Sequence, residues 1–276
     1  MKTLFVSDLD GTLLNSNAEI TAETRQIINP LIEKGLFFTF ATARSIYSAL
    51  PITDGLDINI PCILMNGVSI YDINEKRCIR NVSIPCEGSA EIIRTFQKFG
   101  EHCFMYKFIE GVLTCCYTEI TDKVMQSFAE VRKKRYNKPF VQCCSLLDMA
   151  DDNTVYLTTT GSYEKLKPIA DSLSDITGVS HAFYEDNYSH NWYLEFFSAE
   201  ASKDNAVKFL KEHYGFDRVV AFGDNYNDLS MLKFADTAVA VGNAVADVKN
   251  AADHVADTND RNGVAGYIAE YFEHYC

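Results

Sequence analysis

Residues 5–14 read FVSDLDGTLL. The run from Thr3 to Ser7 is short, apolar and rich in branched and aromatic side chains, the composition of a strand buried on both faces. It ends in Asp8 and Asp10, then Gly11 and Thr12. Side chains two residues apart on a strand point the same way. The two carboxylates therefore crowd each other, and like charges at short range either raise a pKa or call for a cation. The alternative is that one of them caps a helix. Gly11 lets the chain turn away.

Working outward, TAETRQIINPLIEKG (21–35) places Ile27, Ile28, Leu31 and Ile32 on one helical face, with Gly35 as C-cap. Pro30 is expected to kink or shorten this helix. LFFTFAT (36–42) reads as a second buried strand, RSIYSALPI (44–52) as a second helix and CILMNG (62–67) as a third strand. Strand alternating with helix predicts an α/β, Rossmann-like parallel sheet with right-handed crossovers.

From about residue 84 the texture changes. CFMYKFIE, GVLTCCYT, NTVYLTTT, VSHAFYED and NWYLEFF alternate polar and apolar residues, and Glu110-Gly111 offers a hairpin turn. Helical stretches fall near 87–99, 121–136 and 162–176. Alternating strands predict a sheet with one wet face. Residues 84–190 thus read as an α+β domain inserted into a discontinuous core, 1–83 and 191–276. After Ser202 the α/β texture returns, with RVVAFGD (218–224) as a strand and NDLSMLKFA as a helix.

The chain has 276 residues, 47% of them hydrophobic, and a net charge of −13. An acidic chain is a poor partner for nucleic acid or an anionic membrane. Its nine cysteines include no CxxC pair, which suits buried, reduced thiols in a cytoplasmic protein. MKTLFVSDLD is too soon charged for a signal peptide, and no stretch approaches the ~20 apolar residues of a membrane span.

Asp8, Asp10, Asp224 and Asp228 all follow strands, as do Thr42, Asn66 and Gly67, while Lys203 starts a helix. In open α/β sheets the C-terminal strand edge is where ligands bind. Carboxylates at this density suit Mg²⁺, which takes oxygen ligands. With Lys203, Thr42 and helix N-terminal amides, they would make an anion site in an acidic protein.

These segments together resemble a known family. DLDGTLL is similar to motif I (DxDGT) of the haloacid dehalogenase (HAD) superfamily, and FATAR to motif II, usually ATGR. Lys203 sits where motif III places its lysine, and GDNYNDLSML resembles motif IV. The tail VGNAVADVKNAADHVADTNDRNGVA resembles the ending of the Cof-type phosphatase subfamily, and an insertion between motifs II and III is where a type IIB cap sits.

The resemblance implies roles. Asp8 would be the nucleophile and form an aspartyl-phosphate. Asp10 would be the general acid and base, with its backbone carbonyl toward the metal. Asp8, Asp10, Asp224 and Asn225 would hold Mg²⁺, and Asp228 would stand behind them or orient Lys203. Leu9 and Ala43 amides, Thr42, Lys203 and Asn227 would bind the phosphoryl group. Ala43 replaces the usual motif II glycine, so the backbone there must tolerate a Cβ. The proline and glycine common before the motif III lysine are missing as well.

Plainer readings stand beside these. Asp8, Asp10, Thr42 or Asp228 could cap helices, and Asn66 could touch substrate or simply form a turn with Gly67. Lys203 could be an exposed first-turn lysine, although a cation there opposes the helix dipole. Arg44 could make a surface ion pair or touch substrate. Tyr184, Asp186, His190 and Trp192 could line the substrate pocket or belong to the cap's own core. RKKRYNK (132–138) reads as a solvated helix end. The expectation is a Mg²⁺-dependent phosphatase acting on sugar phosphates or similar small metabolites. The alternatives are a phosphomutase or phosphotransferase, or a non-catalytic ligand-binding module.

Overall fold

The computed structural model describes residues 1–185 and 190–275. They form two compact units, Met1–Arg80 with Ala201–Cys276, and Asn81–Glu200.

The first unit carries a parallel sheet of five strands in the order His254–Val255, Thr237–Ala240, Arg218–Gly223, Thr3–Ser7, Phe37–Phe40. Leu4, Phe5 and Val6 are buried, as are Val219, Val220, Ala221 and Phe222 on the neighbouring strand. Burial on both faces is what a continuous apolar run requires. The register pairs Ser7 with Phe222, and the Asp8 N–H donates to the Phe222 carbonyl at 3.0 Å. The loops after two central strands therefore leave the sheet side by side, which brings the segments at residues 8 and 224 together.

Two local expectations are corrected. The first helix runs Ala22–Glu33 straight through Pro30. Its start is tied down by Thr21, whose hydroxyl accepts from the Thr24 N–H at 3.0 Å. The third strand is only Cys62–Leu64 and belongs to a separate antiparallel sheet with Ser69–Asp72 and Arg77–Asn81. It meets the parallel sheet through one bridge, Ala41 to Ile63. Residues 65–67 form a tight turn rather than a strand end.

The second unit carries a six-stranded sheet in the order Val179–Glu185, Trp192–Ser198, Thr154–Gly161, Phe104–Ile109, Val112–Tyr117, Phe140–Gln142. Glu110 and Gly111, at φ +50° and +79°, close the hairpin between Phe104–Ile109 and Val112–Tyr117. Because Trp192–Ser198 pairs within this sheet, residues 191–200 lie in the second unit rather than in the core. Helices Cys86–Lys98 and Tyr163–Ser172 bury one face, with Phe96 edge-on to Phe196 at 6.3 Å between ring centroids.

The opposite face is not simply wet. It presents Phe104, Tyr106 and Cys115, all buried, and helix Lys123–Tyr136 lays Phe128 on Phe104 at 4.9 Å. The basic run 132–138 is split for the same reason. Lys133 to Arg135 are exposed, but Arg132 lies over the Phe128 ring at 3.3 Å and buried Lys138 over Tyr106 at 4.4 Å. Burial, aided by Arg132, pulls the Lys138 ammonium down to about 8.

The described cysteines are free thiols, and Cys86 and Cys144 are exposed rather than buried. Burial pushes Cys103 and Cys115 up to about 12, which makes them inert. Among the described residues, no helix is long and apolar enough to cross a membrane.

Candidate active site

The site lies at the C-terminal edge of the parallel sheet. Lys203 opens helix Lys203–Tyr214, whose N-cap Ser202 accepts from the Asn205 N–H. The lysine is 1% exposed, not a surface first-turn residue. Its ammonium donates to Asp8 Oδ1 at 2.5 Å and to Asp228 Oδ1 at 2.7 Å. Two buried carboxylates thus share one cation. Burial tends to discharge Lys203, but Asp8 and Asp228 together outweigh it and raise its pKa.

One ammonium does not neutralise the cluster. Desolvation pushes Asp8 up to about 7 against the opposing pull of Lys203, with Asp228 and Asp224 adding to the rise. Desolvation likewise pushes Asp224 up to about 6, helped by Asp228 and Asp10. Ligand oxygens of Asp8, Asp224 and Asp228 lie within 4.8 Å of one another. An all-oxygen donor set with excess negative charge fits a hard divalent cation.

The loops are shaped to permit this crowding. Gly11 sits at φ +80°, and a Cβ there would meet Asp224 Oδ2 at 2.5 Å. A Cβ on Gly223 would meet the Asp228 Cβ at 2.5 Å. Asp228 Oδ2 accepts the Asp224 and Asn225 N–H groups at 3.0 and 3.1 Å. Asp228 therefore closes the turn Tyr226–Asp228 and holds Lys203, while its side chain makes no cap bond to the helix Leu229–Phe234 that follows. It also stands inside the carboxylate cluster rather than behind it.

Asp10 points elsewhere. Its carboxylate, half exposed, is gripped by the Arg44 guanidinium through Nη2 at 2.5 Å and Nε at 2.7 Å. This fork matches a carboxylate's geometry and fixes its orientation. Asn225 uses its Oδ1 to accept the Tyr226 N–H at 2.8 Å. Asn227 is exposed on the same turn.

Thr42 is buried, and its Oγ1 accepts the Arg44 N–H at 3.1 Å. Ala43 is exposed and is not among the left-handed residues, so its Cβ is accommodated. Leu9 is buried in the core, and Asn66 forms a left-handed turn with Gly67.

In the second unit, Trp192 packs on Phe183 and Tyr163, at 4.6 and 4.7 Å between ring centroids. That is the core-type environment of the plainer reading. His190 is exposed beside Glu185 at 3.2 Å, and Tyr184 stacks on Tyr193. Asp186 lies outside the described residues.

Two contributors carried no individual signal. Thr12 donates its hydroxyl to Asp224 Oδ1 at 3.0 Å. Asn243 donates to the Gly11 carbonyl at 2.7 Å and accepts the Asn259 N–H at 3.0 Å. The only hint was their place inside the motif I and tail segments.

Fold and site together define an α/β protein whose ligand edge carries clustered carboxylates and one buried ammonium. A model of the haloacid dehalogenase-like hydrolases matches residues 5–268, and the chain belongs to that family. It is 27% identical over 278 residues to the 5-amino-6-(5-phospho-D-ribitylamino)uracil phosphatase YwtE of Bacillus subtilis, covering 95% of each chain. It is 25% identical over 270 residues to the pyridoxal phosphate phosphatase YbhA of Escherichia coli, again covering 95% of each. A crystal structure of a Thermotoga maritima protein matches with a TM-score of 0.78 at 30% identity, over 98% of this chain and 97% of that one. A haloacid dehalogenase-like hydrolase from Bacteroides thetaiotaomicron matches at 0.79 and 27%, over 99% and 100%.

Proposed function

We propose that the protein is a Mg²⁺-dependent phosphatase that hydrolyses monoesters of small phosphorylated metabolites, sugar phosphates among them, in the cytoplasm. One observation carries the reading: the buried Asp8 carboxylate held by Lys203, with Asp224 and Asp228 around it and Asp10 two residues on. The two phosphatase relatives act, by their names, on small phosphorylated compounds, which supports the substrate class.

An oxygen of Asp8 attacks phosphorus, the ester P–O bond breaks, and Asp10 gives its proton to the departing alcohol oxygen. Asp10 then takes a proton from water, whose oxygen attacks the aspartyl-phosphate. The P–O bond to Asp8 breaks and releases orthophosphate. The Arg44 fork aims the ionised Asp10 carboxylate for its role as base, and one arm of it must open for Asp10 to carry the proton that it gives. Lys203 favours ionised Asp8 and balances charge on the phosphoryl oxygens, with Thr42 and the Leu9 and Ala43 amides as further donors. Asp8, Asp224 and Asp228 would hold Mg²⁺, with the Asp10 carbonyl. The ion supplies electrostatic neutralisation of the nucleophile and the phosphoryl group.

The test is p-nitrophenyl phosphate turnover with Mg²⁺, followed by a panel of phosphorylated metabolites. The expected result is one orthophosphate per alcohol, suppressed by EDTA. Transfer of phosphate to a sugar hydroxyl without free orthophosphate would sink the phosphatase reading in favour of a phosphotransferase.

A further inference from the structure

Three successive residues, Met65, Asn66 and Gly67, hold φ of +51°, +54° and +98°. Left-handed backbone penalises most side chains, and Gly, Asn and Asp tolerate it best. Met65 is buried in that conformation, a strain that persists only where the surroundings impose it. Asn66 bears a second local cost, since its Oδ1 is buried without a hydrogen-bond partner. Neither feature serves the hydrophobic core.

The turn lies between two parts of the site. On one side the Met65 N–H donates to the Arg44 carbonyl at 3.0 Å, and the Asn66 N–H to the Thr42 carbonyl at 2.9 Å. The Thr42 N–H in turn donates to the Ile63 carbonyl at 2.9 Å, so its backbone is held at both ends. On the other side Gly67 abuts Ser202, where a Cβ on the glycine would fall 2.1 Å from the Ser202 carbonyl oxygen. Ser202 caps the helix whose first residue is Lys203.

We propose that the Met65–Asn66–Gly67 turn is the spacer that sets Thr42 and Arg44 against Lys203. Asn66 is its positioning residue, needed because its side chain tolerates the left-handed backbone. Arg44 and Lys203 bond Asp10 and Asp8, so slippage of the turn separates the two carboxylates from their cations. The kinetic consequence rests on the phosphatase reading above.

Asn66→Gly and Asn66→Ala both remove the buried Oδ1, but only the glycine adopts the turn freely. Asn66→Gly is expected to keep kcat/KM within about threefold, and Asn66→Ala to lose about tenfold or more, chiefly in kcat. Comparison at temperatures well below each melting point separates this loss from a fall in stability. Hydrogen exchange at the Met65 and Asn66 amides reads the turn without turnover. Protection should fall about tenfold in Asn66→Ala and hold in Asn66→Gly. Equal turnover and equal exchange in the two variants would overturn the inference. An equal loss in both would also overturn it, because the side chain rather than the turn would then matter. Should Asn66→Ala not fold, Asn66→Ser takes its place with the same expected and overturning outcomes. A wild type inert toward p-nitrophenyl phosphate overturns the phosphatase reading alone, and the exchange contrast then decides the turn.

Discussion

Asp8 and Asp228 share one buried ammonium, and much of the site's chemistry follows from that shortage of positive charge. Replacing Asp8 with Asn removes the proposed nucleophile and one charge. Turnover of p-nitrophenyl phosphate should fall about 10³-fold or more, while thermal melting shows the fold retained. Lys203→Met leaves two buried carboxylates without their cation. It should destabilise by about 3–5 kcal/mol at pH 8 in urea unfolding, on the scale seen when a buried pair loses one partner. Arg44→Lys trades a fork for a point charge at half-exposed Asp10. A fall of about tenfold in kcat/KM is expected, and unchanged kinetics would show that the fork does not aim Asp10. At this scale the sequence was informative about residue type. It did not show that Arg44 takes the Asp10 carboxylate, or that Asn225 spends its oxygen on Tyr226.

At the scale of elements, the decisive feature is the turn after the first strand. Its glycine is needed both for φ +80° and for the approach of Asp224. Gly11→Ala should cost about 1–2 kcal/mol from the backbone alone, and should lower activity further by pushing Asp224 aside. A Gly11→Ala protein with wild-type stability and turnover would contradict the close approach. Strands and helices of the core were legible because buried parallel strands are nearly all apolar and their helices keep a 3.6-residue period. The misread elements have physical causes. Pro30 lies in a helix tied down by its Thr21 cap. CILMNG looks like one strand, yet Asn66 and Gly67 turn it at residue 65. In the inserted unit, alternation implied a wet face, but aromatic residues on the polar beat of the pattern, Phe104 and Tyr106, bury it under a helix.

For the molecule as a whole, the crowded carboxylates couple stability to pH and to metal. Asp8 is raised from 3.8 to about 7, and Asp224 from 3.8 to about 6. A raised carboxylate pKa means that the native state binds more protons than the unfolded one between those values. Stability from these groups is thus complete below about pH 4 and is lost as pH rises toward 7. Metal-free protein should therefore lose melting temperature from these groups across that interval, and Asp8→Asn should flatten the slope. Added Mg²⁺ should raise the melting temperature more at pH 7.5 than at pH 5, where protons compete for the same oxygens. A metal effect independent of pH would remove the cluster from the binding site.

The order of strands and helices, the inserted unit and the residue types of the site were written in the sequence, because apolar periodicity and turn chemistry are local properties. So was the expectation that Asp8 and Lys203 belong to one site, through the motifs around them. Tertiary structure alone decided the pairings. Ser7 stands level with Phe222, and so carboxylates from residues 8, 224 and 228 meet around a lysine buried at position 203. Charge–charge energies depend on distance and burial, and neither is a property of a residue's place in the chain. For that reason the sequence could list the charged groups, but only the fold could say which of them share a cation.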